Sequence, residues 1–114
     1  MKSKRIYRAA ELIQKIVAGL LLSEVSDPRL KSVTITDVDL SPDFRQASVF
    51  FTLLDANPES IKAAETAFKK AASFFRVNVS KQAELRYTPE LTFKYDMSVI
   101  EGERISNLLK DSGI

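Results

Sequence analysis

Apolar residues recur at helical spacing near the start of the chain. From residue 5 to residue 24 they follow the i, i+3, i+4, i+7 repeat that is typical of a helix with one buried stripe. The stripe consists of Ile6, Ala9, Ala10, Ile13, Ile16, Val17, Leu20 and Leu21. Ser3 can cap the start of this helix, and Pro28 limits its end because the residue before a proline avoids helical ψ. The pattern therefore predicts a helix over residues 5–24.

Three later segments have the side-chain pattern of strands. Residues 33–40 are rich in β-branched side chains, and residues 46–54 turn every second, apolar side chain to one face. A turn at residues 41–43 joins these two segments, and such a short connection favours an antiparallel pair. Residues 91–97 alternate apolar and polar side chains most regularly of all, which predicts a third strand.

A second helical repeat lies between the second and third predicted strands. Residues 57–59 supply an N-cap asparagine, a proline at the first helical position and an acidic first turn. Phe74 and Val77 fall outside the apolar stripe that the earlier part of the repeat defines, so a straight helix would expose them. We therefore expect a kink or break at residues 71–73 that divides the segment into two helices, with the second ending before Pro89.

The end of the chain has the pattern of a short last helix. Residues 98–101 form a capping box, Ile105, Leu108 and Leu109 follow at helical spacing, and Gly113 can close the helix. The predicted order is helix, strand, strand, helix, helix, strand, helix, which indicates an α+β fold with helices on one face of a sheet. With a kinked helix pair in the middle, this order matches the type II topology of KH domains. We expect one such domain over residues 1–114.

Composition excludes several classes of chemistry. The 114 residues include no cysteine and no histidine, so disulfides, thiolate metal sites and histidine-dependent catalysis are ruled out. Only three glycines are present, and none lies in a phosphate-binding loop motif. No apolar run approaches the ~20 residues of a membrane span, and the N-terminus lacks a signal peptide pattern. These features predict a soluble, cytoplasmic protein. An enzyme is the least favoured class, because its catalysis would have to rest on carboxylate, lysine, serine or tyrosine side chains, and we expect no cofactor, metal or small-molecule substrate.

Charge is strongly segregated, although the formal net charge is only +2. Residues 1–23 carry five basic side chains against one acidic, and residues 69–86 repeat that balance. The segments between and after these blocks are net acidic. Basic blocks on an otherwise acidic chain indicate a polyanion partner. The candidate RNA contacts are Lys4, Arg5, Arg8, Lys15, Lys69, Lys70, Arg76, Lys81 and Arg86.

Each candidate also has a structural interpretation. Basic stripes on helices often serve only solubility, and Arg86 has Glu84 and Glu90 as possible ion-pair partners. Arg29 has two possible roles, a contact with RNA or stabilisation of the turn at Asp27, and we favour the second. The acidic residues at positions 37, 39 and 43 fit a soluble edge better than a calcium loop. The aromatic residues at positions 51, 93 and 95 fit core packing better than base stacking.

Four stretches in order along the chain resemble one family. Residues 24–29 (EVSDPR) follow the first helix, and residues 33–38 (VTITDV) with the turn at 41–43 follow them. Residues 85–96 (LRYTPELTFKYD) carry the most specific signature, and residues 101–109 resemble the closing helix. Together these stretches resemble the ribosome-binding factor A family and cover roughly residues 5–109.

The resemblance implies a fold and a function. The family consists of small KH-like proteins that bind the small ribosomal subunit and its 16S rRNA late in assembly, act near the 5′ end helix and the decoding region, and support growth in the cold. It replaces the KH glycine loop with an A-x-G kink, which aligns with Ala71, Ala72 and Ser73. We expect a monomer without a membrane partner. The alternative is an α+β protein–protein interaction module without RNA binding.

Overall fold

The first helix, α1, spans Lys4–Ser23 in a computed structural model that describes residues 3–98. Its apolar stripe is buried, and Ile13 and Val17 are completely enclosed. The side chain of Ser3 accepts a hydrogen bond from the backbone N–H of Ile6 (3.4 Å), as expected of an N-cap. The predicted first helix is therefore confirmed to within one residue at each end.

Three strands form one mixed sheet in the order β1-β2-β3. Strands β1 (Val33–Leu40) and β2 (Gln46–Leu53) are antiparallel, as predicted, and β3 (Glu90–Tyr95) runs parallel to β2. The apolar face of β2 is completely buried along its length. In β1 the register shifts between Ile35 and Asp37, so the buried positions are Ile35, Val38 and Leu40 rather than a strict alternation.

Helix α2 spans Pro58–Ala83 without interruption. The predicted division into two helices at Ala71, Ala72 and Ser73 is therefore wrong, whereas a bend of the helix axis at these residues stays a prediction. No residue of this stretch has positive φ, since Phe44 and Glu84 are the described non-glycine residues that do. The alanine and serine side chains at these positions fit a regular helix without steric conflict. At the start of α2, the predicted cap is confirmed by a hydrogen bond from the Ser60 N–H to the side chain of Asn57 (2.8 Å).

The two side chains behind that prediction are accommodated without a break. Phe74 is half-buried, and its ring makes an edge contact with Phe75 at 5.5 Å between centroids. Val77 stays exposed on the helix surface. Phe74 therefore reaches the margin of the core, and Val77 remains in contact with water.

An aromatic cluster joins α2 to the sheet. Phe68 stacks on Phe93 of β3, with ring centroids 4.1 Å apart and planes inclined by 3°. Phe51 of β2 and Phe75 of α2 complete the cluster, with centroids 4.9 and 5.9 Å from that of Phe68. The prediction of core packing is confirmed for Phe51, which is fully buried, while Phe93 and Tyr95 are half-buried and pack against the core. This packing fixes the side of α2 that remains available for other contacts.

Two further predictions concern the chain around β3. The third predicted strand extended to residue 97, whereas β3 ends at Tyr95. Asp96 then turns the chain, because its carboxylate accepts hydrogen bonds from the Ser98 N–H (2.9 Å) and the Thr36 hydroxyl (2.6 Å). The predicted last helix, with Ile105, Leu108 and Leu109, lies outside the described residues.

Candidate nucleic-acid interface

The basic residues of α1 are exposed but differ in their partners. Lys4 and Arg8 are exposed, on the side of the helix away from its apolar stripe. Lys15 lies 3.6 Å from the carboxylate of Glu11, one helical turn earlier, and both side chains are largely exposed. Such an exposed pair is worth little, so Lys15 remains available to a phosphate. Arg5 turns toward the rest of the molecule and belongs to a different cluster.

The continuity of α2 places three basic side chains along one side of a single helix. Lys62, Lys69 and Arg76 are spaced by seven residues, which is close to two full helical turns. We call these three residues the α2 basic line; it extends over about 21 Å at 1.5 Å per residue. A broken helix would have turned Arg76 away from the other two. The continuous helix keeps the three charges at this regular spacing.

The neighbours Lys69 and Lys70 lie on different sides of α2. Lys69 borders a shallow pocket of ≈ 240 Å³ against β3, which Leu91 and Phe93 also line. Lys70 faces the 3-10 helix Pro28–Leu30, and its charge contributes to lowering the pKa of Asp27. The predicted contact over residues 69–76 is therefore divided, with Lys69 and Arg76 on one side and Lys70 on the other.

Arg76 and Lys81 share a pocket with two hydroxyl groups. The pocket has a volume of ≈ 310 Å³ and is lined by Arg76, Val77, Ser80, Lys81 and Thr88. The Thr88 hydroxyl donates to the Ser80 hydroxyl at 2.8 Å, which ties the segment before β3 to the helix. We call Arg76, Ser80, Lys81 and Thr88 the hydroxyl cradle. Two cations and two hydroxyls without a carboxylate among the lining residues suit a phosphate group.

Arg5 and Arg86 lie in one groove beside the start of the segment between α2 and β3. Both line a groove of ≈ 390 Å³. The Arg5 guanidinium carbon lies 5.4 Å from the ring centroid of Phe44, and that of Arg86 lies 5.5 Å from the centroid of Tyr87. We call this cavity the arginine–aromatic groove. Its lining consists of Arg5, Ala9, Pro42, Asp43, Phe44, Glu84, Leu85, Arg86 and Tyr87.

Phe44 and Tyr87 are site residues that the sequence reasoning missed. Each is adjacent to an arginine in the sequence, Arg45 and Arg86, and an aromatic residue beside an arginine in a turn is a usable signal. What the sequence does not reveal is the left-handed backbone of Phe44 (φ 63°). The long-range approach of Arg5 to Phe44 is equally invisible, because it depends on how α1 crosses the sheet.

Asp27 and Arg29 form a closed turn, so the structural interpretation of Arg29 is confirmed. The guanidinium donates to both carboxylate oxygens of Asp27, at 3.0 and 2.7 Å, and the backbone N–H of Arg29 donates to the same carboxylate at 2.9 Å. The side-chain bonds are the largest cause of a lowered Asp27 pKa, which falls from 3.8 to about 2. Arg29 is occupied by this turn.

The acidic residues of β1 and its turn offer no metal site within residues 3–98, where no group of three histidine, cysteine, aspartate or glutamate side chains has the required geometry. Asp43 serves the turn instead. Its carboxylate accepts from the Ser41 hydroxyl (2.6 Å) and the Arg45 N–H (3.0 Å), and these bonds lower its pKa.

Of the helices in this part of the chain, neither is long and apolar enough to cross a membrane.

Comparison with known proteins agrees with these features. The family model described as Ribosome-binding factor A matches residues 5–109. Ribosome-binding factor A of Geobacter metallireducens is 42% identical over 110 residues, which cover 96% of this chain and 92% of that protein. The solution NMR structure of a candidate ribosome binding factor A from Thermotoga maritima is 32% identical, with a TM-score of 0.70 over 82% of this chain and 89% of that one.

A second structural similarity concerns the fold alone. A homology model of the Thermus thermophilus ribosome binding factor A, fitted into the cryo-EM map of a 30S complex of that protein, is 20% identical to this chain. Its TM-score is 0.62 over 77% of this chain and 91% of that one. The mixed three-stranded sheet, with α1 before it and α2 between β2 and β3, defines an α+β protein in which one continuous helix occupies the place of the helix pair of a type II KH domain. The chain belongs to the ribosome-binding factor A family.

Proposed function

We propose that this protein is a non-catalytic assembly factor that binds the small ribosomal subunit through its rRNA. Family membership supports the ribosomal partner, and the Thermus thermophilus relative has been fitted into the map of a 30S complex. The observation that carries the RNA contact is the alignment of basic side chains on α2 next to the hydroxyl cradle. Phosphate contacts of this kind supply most of the affinity of nucleic-acid binding.

The structure of α2 favours side-chain contacts over a backbone clamp. KH domains usually grip nucleotides with backbone at the turn between two helices. Here the backbone N–H groups at residues 71–73 are enclosed in a continuous helix. The RNA contact is therefore carried by the α2 basic line and by Lys81 of the hydroxyl cradle, with Lys4 and Arg8 of α1 adding charge.

The finer function follows the family expectation. We propose that binding occurs late in the maturation of the subunit, that it promotes rRNA processing near the 5′ end of 16S rRNA, and that it supports growth in the cold. In this proposal the protein is a cytoplasmic monomer that acts by binding, without cofactor, membrane or small-molecule substrate. The absence of histidine and cysteine from the sequence supports binding without chemistry.

Co-sedimentation with purified small subunits tests this proposal. Arg76→Glu with Lys81→Glu reverses both charges of the cradle, so we expect the bound fraction to fall by at least about tenfold at moderate salt. The matched control, Lys31→Glu with Lys94→Glu, makes the same change in net charge at two exposed sites away from the cradle. Wild-type protein that stays in the supernatant at low and moderate salt contradicts the proposal.

A protein–protein interaction module is the second candidate. Its support is apolar surface, because the side chains of Leu22 and Leu54 are 90% and 92% exposed. Salt distinguishes the two candidates, since phosphate-driven binding weakens steeply as salt rises and a largely apolar protein interface does not. Binding to subunits that survives high salt and is lost in Leu22→Ser favours the second candidate.

A further inference from the structure

The arginine–aromatic groove is built from three segments that are distant in sequence. The start of α1 supplies Arg5, the turn between β1 and β2 supplies Phe44, and the segment between α2 and β3 supplies Arg86 and Tyr87. A hydrogen bond from the Glu90 N–H to the Arg45 carbonyl, at 2.8 Å, joins the last two segments. The walls of the groove are therefore held in place by the fold.

The backbone of the groove is conformationally costly. Phe44 lines this cavity with φ 63°, whereas Glu84, which also lines it, has φ 51° as the left-handed cap that ends α2. A bulky residue with positive φ persists only where the surrounding structure holds it, and such residues concentrate at binding sites. The turn holds Phe44 through its own N–H, which donates to the Ser41 carbonyl at 2.9 Å, and through the Gln46 N–H, which donates to the Ser41 hydroxyl at 3.0 Å.

The two arginines are oriented rather than free. Each guanidinium lies over a neighbouring aromatic ring, at 5.4 Å for Arg5 on Phe44 and 5.5 Å for Arg86 on Tyr87. Tyr87 nevertheless remains 51% exposed, so Arg86 does not enclose it. A flat ring beside two oriented guanidinium groups offers stacking surface together with hydrogen-bond donors.

The charge of the groove argues against a phosphate as its ligand. Arg5 and Arg86 are balanced by the carboxylates of Asp43 and Glu84 among the lining residues. The hydroxyl cradle, by contrast, has two cations and no carboxylate in its lining. The carboxylate of Asp43 is engaged by the turn, whereas that of Glu84 can accept from an amino group. A neutral aromatic group with both donors and acceptors fits this balance best.

We propose that the arginine–aromatic groove binds one unpaired RNA base, which stacks on Tyr87 and accepts hydrogen bonds from Arg5 and Arg86. Aromatic side chains and guanidinium planes hold unpaired bases in this way in other RNA-binding proteins. Tyr87 lines the groove and Thr88, the next residue in the chain, lines the hydroxyl cradle, so the two sites are neighbours on the segment between α2 and β3. In this proposal a strand with a base in the groove places a neighbouring phosphate at the cradle. This inference rests on the proposed RNA binding.

A fluorescent base tests the inference. The full chain is titrated with a short single-stranded RNA that contains 2-aminopurine, whose fluorescence is quenched by stacking, and with the same RNA held in a duplex. We expect quenching with the single strand and not with the duplex. Tyr87→Ala should weaken single-strand binding at least about fivefold, and Tyr87→Phe should retain it, because stacking requires the ring and not the hydroxyl.

Two controls separate this inference from the proposed function. Tyr7→Ala removes a tyrosine that is 62% exposed but does not line the groove, so it should bind like the wild type. Arg76→Glu with Lys81→Glu tests the phosphate contact. If this variant loses binding while Tyr87→Ala binds like the wild type, the groove inference is overturned and the proposed function stands. Failure of the wild-type protein to bind either RNA or small subunits overturns both.

Discussion

Asp27 and Arg29 illustrate how much one residue pair contributes to local order. The carboxylate of Asp27 caps the 3-10 helix Pro28–Leu30 through the Arg29 N–H and holds the Arg29 guanidinium by two further hydrogen bonds. The residue types of this turn indicate it directly, because aspartate before proline initiates turns and arginine pairs with carboxylates. This part of the structure was predictable from three adjacent residues.

The lowered pKa of Asp27 leads to a prediction about pH. Because the folded-state pKa falls from 3.8 to about 2, the pair stabilises the fold above pH 3.8, and this contribution is lost as the pH falls from there through about 2. Arg29→Gln removes the guanidinium hydrogen bonds, which are the largest cause of the lowered Asp27 pKa, and leaves the hydrogen bond from the backbone N–H of residue 29. We therefore expect the pKa of Asp27 to rise from about 2 toward 3.8, as measured by NMR titration of its side-chain carbon.

Asp43 is the internal control for that titration. Its pKa is lowered by Ser41 and by the Arg45 N–H, and Arg29 has no part in it. Its titration should therefore be the same in Arg29→Gln as in the wild type. An Asp27 that still titrates near its wild-type midpoint in the variant contradicts the assignment of the effect to the guanidinium.

At the scale of elements, the strands and α1 were predictable and the shape of α2 was not. Period-two alternation in β2 and the apolar stripe of α1, of whose eight residues seven are buried, each define one buried face, so the predicted limits of both elements agree with the structure to within one residue. In α2 the apolar positions drift around the helix, because Phe74 lies at the margin of the core and Val77 stays in water. Side-chain periodicity alone does not distinguish that drift from a change of axis.

A substitution at Ser73 tests the continuity of α2. Ser73 is exposed in the middle of the helix, where alanine has a higher helix propensity than serine. We expect Ser73→Ala to raise the free energy of unfolding by about 0.5 kcal/mol and Ser73→Gly to lower it by about 0.5 kcal/mol, as measured by urea denaturation. The reverse order, with glycine more stable than alanine, would indicate a break at this position.

At the scale of the whole molecule, the net charge conceals the surface that matters. The formal charge is only +2, yet the fold brings the basic block of residues 69–86 onto α2 and the segment before β3. The segregation is visible in the sequence, which is why the candidate interface was predictable as a set of residues. The division of this interface into the hydroxyl cradle and the arginine–aromatic groove was not predictable, because it depends on which segments of the chain meet in the folded structure.

The salt dependence of RNA binding measures how many phosphates this surface contacts. For single strands the slope of log K against log salt is about −0.7 per phosphate contact, and for duplexes it is about −0.9. Arg76→Gln with Lys81→Gln should therefore make the slope shallower by about 1.4–1.8, while Tyr87→Ala should weaken binding without changing the slope. The matched control, Lys31→Gln with Lys94→Gln, keeps the wild-type slope if the contact is local. An equal loss of slope in that control would mean that RNA is attracted by charge spread over the whole molecule rather than by the cradle.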